Sequence, residues 1–239
     1  MTEVPVWKKR KNPETYAELF SKLKVQGSYY LSLRDLPILV SKFVTGTNTL
    51  DYGCGPATST LFLKSLGLTV KGIDISAAMI QKARTKDPEG EYRVIQNMEI
   101  PDDNNQYDFV FANWVLLEIG SKEELYQTMC EIFRVLKPNG TFITTVASEH
   151  QYNKDFLNEN TQFSENINLI SGCQVKKLIK DVNLIICDYF WTNEDYQESM
   201  KAAGLNVVYV HEPLGLDEDD YQWKSEKTLS PIRIYVAKK

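Results

Sequence analysis

Hydrophobic positions along this chain change period several times, and each change marks an element. Across 13–44 they recur at helical spacing: Tyr16, Leu19, Phe20 and Leu23 share one face. After a break at Gly27-Ser28, Leu36, Ile38, Leu39, Phe43 and Val44 predict a second helix. Pro13 suits a first helical turn, where its missing N–H costs nothing. The pattern then shortens. Residues 49–51 read as a strand, and a helix follows through Leu61, Phe62, Leu63 and Leu66. A second strand spans 68–74, and Ser76 can cap the helix that holds Met79 and Ile80. Residues 92–95 and 109–112 read as the third and fourth strands. Ser121 with Glu124 three positions on forms a capping box. The helix it opens buries Leu125, Met129, Ile132, Phe133 and Leu136. Lys137-Pro138-Asn139-Gly140 should stop that helix, and 141–146 is a β-branched fifth strand.

Strands alternating with helices at this spacing pair in parallel through right-handed crossovers, which predicts a doubly wound α/β sheet. The tail breaks the alternation. A helix ends at 200–204, and 207–210 and 232–236 are strands with no crossover helix between them. They should form an antiparallel pair at the sheet edge. The expectation is a single α/β domain: a seven-stranded, mostly parallel sheet with an antiparallel C-terminal strand and helices on both faces. Its parts are a helical cap over 1–46, a core over 47–147, an insertion over 148–190 and a closing helix with strands over 191–239. Residues 172–188 alternate partly, predicting one or two antiparallel strands in the insertion, and its Asn-rich start suits a loop that covers substrate.

Composition narrows the class. The chain has 239 residues, 43% apolar and 25% charged, with a formal net charge of -5. That is enough for one full hydrophobic core, and it argues against nucleic acid as the main partner. Cys54, Cys130, Cys173 and Cys187 show no ligand spacing, so they read as reduced thiols with no metal. The basic run at 7–11 leads into no signal-like apolar stretch, and no other stretch could span a bilayer. A cytoplasmic protein without membrane partners, monomeric or a homodimer, is expected. The run Asp217-Glu218-Asp219-Asp220 reads as a solvated loop.

The chemistry gathers at Leu50-Asp51-Tyr52-Gly53-Cys54-Gly55-Pro56-Ala57, where the first strand turns into a helix. Glycines there let the backbone approach a ligand, and open sheets bind nucleotides at the strand carboxyl ends. Asp74, ending the second strand, is placed to accept both ribose hydroxyls of a nucleoside. A nicotinamide fingerprint needs a third glycine where Thr58 stands. Asp51 would also repel a pyrophosphate but welcome the amino group of a methionine moiety.

The run LDYGCGPA resembles motif I of the class I S-adenosylmethionine (SAM)-dependent methyltransferases. GIDISAAMI, QNMEIP, YDFVFANWVLLEI and IFRVLKPNGTFI are similar to the motifs that follow it, in the family's order across 49–147, and AGLNVV and IRIYVAKK extend the resemblance. It implies methyl transfer from SAM, with S-adenosylhomocysteine as product. Asp51, Gly53 and Gly55 would then border the methionine part, Asp74 the ribose, and Ile75 and Met79 the adenine. Asn97 and Met98 would close the adenine edge, Asn97 standing where Asp is more usual. Asn113 and Trp114 would approach the sulfonium. Arg34 and Tyr30 would meet the SAM carboxylate, with Tyr29 a weaker candidate.

His150, just after the fifth strand, is the candidate acid–base residue. His211 reads as structural, Glu118 as a pocket residue or helix cap, and Tyr189, Phe190, Trp191 and Tyr196 as packing or pocket wall. The resemblance leans to a small-molecule acceptor methylated at N, O or C, in the manner of heterocycle N-methyltransferases. The rivals are a protein or RNA methyltransferase, whose Asn-Pro-Pro-Tyr type of motif is absent, and a SAM-binding module without catalysis.

Overall fold

The computed structural model describes residues 13–239, so the basic run at 7–11 lies outside the described residues. The leading segment forms α1 (Pro13–Ser21), α2 (Ser28–Arg34) and α3 (Leu36–Phe43). The single second helix expected after Gly27 is therefore two helices, split at Asp35. Pro37 sits in the first turn of α3, where no intrahelical hydrogen bond is lost.

The core then runs β1 (Asn48–Tyr52), α4 (Thr58–Ser65), β2 (Thr69–Asp74), α5 (Ala77–Lys86), β3 (Glu91–Val94), β4 (Tyr107–Asn113), α6 (Lys122–Val135) and β5 (Leu136–Ala147). After it come β6 (Glu159–Asn160), β7 (Gln174–Ile179), β8 (Leu184–Tyr189), α7 (Asn193–Ala202), β9 (Asn206–His211) and β10 (Ile232–Lys238).

Seven strands form the main sheet in the order β3-β2-β1-β4-β5-β10-β9. The first five are parallel, and β10 runs antiparallel to both β5 and β9. Alternation along β4 shows how the two faces divide. Val110 and Ala112 join α6 and α7 residues such as Leu125, Met129, Tyr196 and Met200 in one core. Phe109 and Phe111 point the other way, into Leu31, Leu36 and Leu39 of α2 and α3 and Leu63 of α4. The Ser121 hydroxyl accepts from the Glu124 amide at 3.1 Å, fixing the start of α6.

One boundary differs from the sequence expectation. Helix α6 ends at Val135 and passes directly into β5, so Lys137-Pro138-Asn139-Gly140 belongs to the strand. Leu136 pairs with Tyr107 and Thr141 with Phe109, and the turn-forming residues bulge out between those anchors.

The insertion folds as a separate three-stranded antiparallel sheet, β6-β7-β8. It is fastened to the start of α2. Ser28 donates its amide to Asn158 Oδ1 at 3.3 Å and its hydroxyl to Glu159. Gly27 has φ +58, and a Cβ there would meet Asn158 Oδ1 at 1.9 Å, so the contact requires glycine.

Candidate functional site

Strand order reverses at β1, which has β2 on one side and β4 on the other. Ligands of open α/β sheets bind beside such a switch point, at the carboxyl ends of the strands. A crevice of about 750 Å³ opens there. Its size falls in the roughly 300–1,000 Å³ range of small-molecule and cofactor sites.

The turn after β1 is built from Gly53 and Gly55. Gly53 has φ +75, and a Cβ on it would come within 2.3 Å of Val115 Cγ2. Its amide and that of Cys54 donate to the Ile73 carbonyl at 2.8 and 3.0 Å, which locks the turn to the end of β2. Asp74 completes the tie: its carboxylate accepts from Gly55 N at 2.9 Å and Ser76 N at 2.8 Å. One side chain thus positions both the glycine turn and the start of α5.

Eight of the cofactor candidates read from sequence border this crevice, Gly53, Gly55, Asp74, Ile75, Met79, Met98, Asn113 and Trp114, and so does the pocket candidate Glu118. Met98 lies in a tight left-handed turn with Asn97 (φ 61 and 52). Asn97 itself is exposed and outside the lining, because the turn aims it at solvent while Met98 faces in. Trp114 also has a left-handed backbone, φ +63. Such a conformation costs a non-glycine residue on the order of 1–3 kcal/mol and clusters at functional sites.

Asp51 lies elsewhere than expected. It is fully buried beneath the turn, and its Oδ2 accepts from Ser59 Oγ at 2.7 Å and Thr60 Oγ1 at 2.6 Å, at the start of α4. Its Oδ1 is buried without a hydrogen-bond partner. Burial raises its pKa from 3.8 to about 6 against the lowering effect of Thr60 and Ser59, and the Asp74 charge adds to the rise.

Arg34 and Tyr30 are likewise outside the crevice. Arg34 is held by Asp35 and by Asp219, each at 2.8 Å, and by the Leu214 carbonyl. Tyr30 donates to the same Asp219 at 3.1 Å and packs on Tyr221 and Trp223. The carboxylate that engages this arginine is thus the protein's own, supplied by the run read as a solvated loop. Asp35 also binds His211 Nε2 at 2.7 Å, which gives that histidine the structural place expected of it. Tyr29, the weaker candidate, is the one near the site. Its hydroxyl is pushed above its ordinary pKa by burial, against a hydrogen bond with Thr58 and with the Asp51 charge adding. His150 is exposed on a short helical turn and borders neither this crevice nor the cavity beside it, so the acid–base role expected of it is without support.

That second cavity, about 110 Å³, adjoins the first and shares Gly53, Gly55, Asn113, Trp114 and Glu118 with it. Tyr16 and Phe20 of α1, stacked with centroids 5.0 Å apart, border both. Sequence reading assigned that pair to a packed helix face. The far wall comes from the insertion: Asn158, Glu159, Lys177, Ile179, Ile186 and Asp188. Lys177 is buried, 3.1 Å from Asp188 Oδ2, with its ammonium 4.6 Å from the Trp114 ring centroid. Burial would lower the Lys177 pKa, but Asp188, Glu159 and Glu118 outweigh it and hold the ammonium charged. Glu159 shifts upward, chiefly through burial and against the pull of Lys177 and Ser28. None of Lys177, Asp188 and Glu159 was singled out from sequence. The only signal was their placement on alternate positions of short strands.

The comparisons agree with this geometry. Residues 50–144 match the family described as Methyltransferase domain. The malonyl-[acyl-carrier protein] O-methyltransferase of Buchnera aphidicola is 29% identical over 182 residues, 72% of each chain. The demethylmenaquinone methyltransferase of Symbiobacterium thermophilum is 31% identical over 116 residues, 45% of each chain. A solved SAM-dependent methyltransferase from Mesorhizobium loti has the same fold, with a TM-score of 0.65 at 16% identity over 86% of this chain and 97% of that one. The stretch that matches a methyltransferase domain builds most of this crevice, and that match, these relatives and the shared fold together support a SAM-dependent methyltransferase.

Proposed function

We propose that this enzyme moves a methyl group from SAM in the larger crevice to a small molecule seated in the smaller cavity. The observation that carries the reading is their shared wall at Gly53, Gly55, Asn113, Trp114 and Glu118, which makes one continuous site of two chambers.

The residues present fit the cofactor. A Cβ built on Gly55 would meet no atom within 4 Å, so the backbone there is open to a ligand. Asn113 has a buried Oδ1 with no partner in that wall, which suits a donor such as an amino group. A carboxylate has roughly four acceptor positions, so Asp74 can hold both backbone amides and also take a ribose diol. Ile75, Met79 and Met98 supply an apolar bed for adenine. When bound, SAM supplies an electrophilic methyl on a sulfonium.

The protein's own part is alignment and exclusion of water. The glycine turn and Asp74 fix one partner, Trp114 and Glu118 stand at the junction, and the β6-β7-β8 sheet covers the other side as a substrate lid. Holding two reactants in line removes most of the entropic cost of their encounter. A neutral amine or a carboxylate needs no acid–base residue for such a displacement, and His150 is not placed to act as one.

The test is formation of S-adenosylhomocysteine from SAM with a panel of small amines, alcohols and acids, measured against a protein and an RNA acceptor. Turnover confined to the macromolecules would refute the small-molecule assignment. Binding without any turnover would leave a SAM-binding module.

A further inference from the structure

The smaller cavity carries a charge pattern that bears on the acceptor. Two lysines line it among the described residues: Lys24 is exposed at its edge, and the buried Lys177 is already committed to Asp188 at 3.1 Å and to the face of Trp114. Facing it are three carboxylates, Asp188, Glu159 and Glu118. With these two lysines and three carboxylates all ionised, the described lining carries one net negative charge. Its orphaned polar atoms point the same way. Asp188 is 4% exposed, and its Oδ1 is buried without a hydrogen-bond partner, as is Asn113 Oδ1. Both are acceptors, and a buried acceptor left unmade costs roughly 1–3 kcal/mol. A ligand that completes this cavity therefore brings donors.

Resting on the function proposed above, we propose that the methyl acceptor is an amine, with its N–H directed to Asp188. The nitrogen reacts as the neutral amine. Its lone pair forms the N–CH3 bond as the S–CH3 bond breaks, and the departing pair stays on sulfur, giving the thioether S-adenosylhomocysteine. Positive charge thus moves from sulfur to nitrogen, towards Asp188 and Glu118, and the resulting ammonium then gives up its N–H proton to solvent. Carboxylates placed where positive charge develops favour that transition state over the ground state. An anionic acceptor meets the opposite field inside the cavity, because the buried cation is neutralised by Asp188 and Lys24 stands at the exposed edge. Tyr16, Phe20, Trp114, Ile179 and Ile186 leave the rest of the cavity apolar, which suits an aryl or alkyl body.

A matched series separates head group from body: phenethylamine, 2-phenylethanol and 3-phenylpropanoate. Each is titrated by calorimetry into the protein saturated with S-adenosylhomocysteine. The amine is expected to bind at least tenfold tighter than the alcohol or the acid. In Asp188→Asn, which keeps the shape but not the charge, that preference is expected to vanish while S-adenosylhomocysteine affinity stays within threefold. Should Asp188→Asn unfold, the double variant Asp188→Asn/Lys177→Met removes the buried pair as a unit, a change that interiors commonly tolerate. Equal binding of the three probes, tighter binding of the acid, or an amine preference that survives both variants would overturn the proposal. Failure of the wild-type protein to bind S-adenosylhomocysteine at all would instead overturn the cofactor reading beneath it.

Discussion

Asp51→Asn should stabilise this protein at neutral and alkaline pH, and the gain should grow with pH. Asp51 is fully buried, and its pKa rises from 3.8 to about 6 through burial, with Ser59 and Thr60 opposing the shift and Asp74 adding to it. A carboxyl group with a raised folded-state pKa favours folding most when protonated. Its contribution is complete below about pH 4 and is lost as pH rises through about 6, because the unfolded chain ionises it freely. The shift is about 2 units at roughly 1.4 kcal/mol each, so the ionised side chain costs about 3 kcal/mol at pH 8 and about half of that at pH 5. Asparagine keeps an acceptor for the Ser59 and Thr60 hydroxyls and never ionises. Urea unfolding of both proteins at pH 4, 5, 6 and 8 reads the effect directly, as a midpoint difference that widens with pH at unchanged m-value. The difference should level off above about pH 7. A variant less stable than the parent at pH 8, or a difference that does not change with pH, would refute the reasoning and show that the carboxylate makes a favourable charged contact.

Three further outcomes follow from the site geometry. Asp74→Ala should weaken S-adenosylhomocysteine binding by about 1–3 kcal/mol by calorimetry, and it should also lower the melting temperature, because the amides of Gly55 and Ser76 lose their acceptor. Unchanged affinity would remove Asp74 from the cofactor site. Arg34→Met should leave that affinity within threefold but cost on the order of 2 kcal/mol in urea unfolding, less than the ~3–5 kcal/mol of a fully buried pair, since Asp35 and Asp219 lose their shared partner. A selective loss of cofactor binding would restore the carboxylate clamp that the sequence suggested. His150→Ala should change kcat/KM by less than twofold across pH 6–9, and a lost pH dependence would return His150 to the chemistry.

The sheet was legible because its signals are local. A glycine-broken strand end at 50–55, a capped helix at Ser121, an apolar run at 109–112 and a β-branched run at 141–146 each name one element, and their alternation names the topology. The misreadings share a cause too. Asp35 divides α2 from α3 without a glycine or proline before it to announce the break. Lys137-Pro138-Asn139-Gly140 has the chemistry of a helix stop, yet pairing of Leu136 with Tyr107 and Thr141 with Phe109 draws it into β5 as a bulge. Tertiary pairing there outweighs a local turn preference, and only partner strands far along the chain reveal it.

The site divides along the same line. Gly53, Gly55 and Asp74 could be found from sequence because the backbone conformation they serve is set within a few residues of each. Arg34 misled because a guanidinium near a cofactor motif looks available until its carboxylates are known, and Asp219 lies 185 positions away. The smaller cavity was hidden for the same reason in stronger form. Trp114 comes from the end of β4, Lys177 and Asp188 from the two arms of the β7–β8 hairpin, and Glu159 from β6, held against Ser28 of α2. Each alone reads as an ordinary strand residue. Their meaning is collective: a buried ammonium lies beside Trp114, with Asp188, Glu159 and Glu118 the acids that hold its charge. On the function proposed above, the glycine turn and Asp74 hold the cofactor without this hairpin, so its sequence can vary to suit an acceptor while the cofactor chamber stays as it is. The residues that choose the acceptor should therefore be sought on β6, β7 and β8, where the cofactor motifs give no guide.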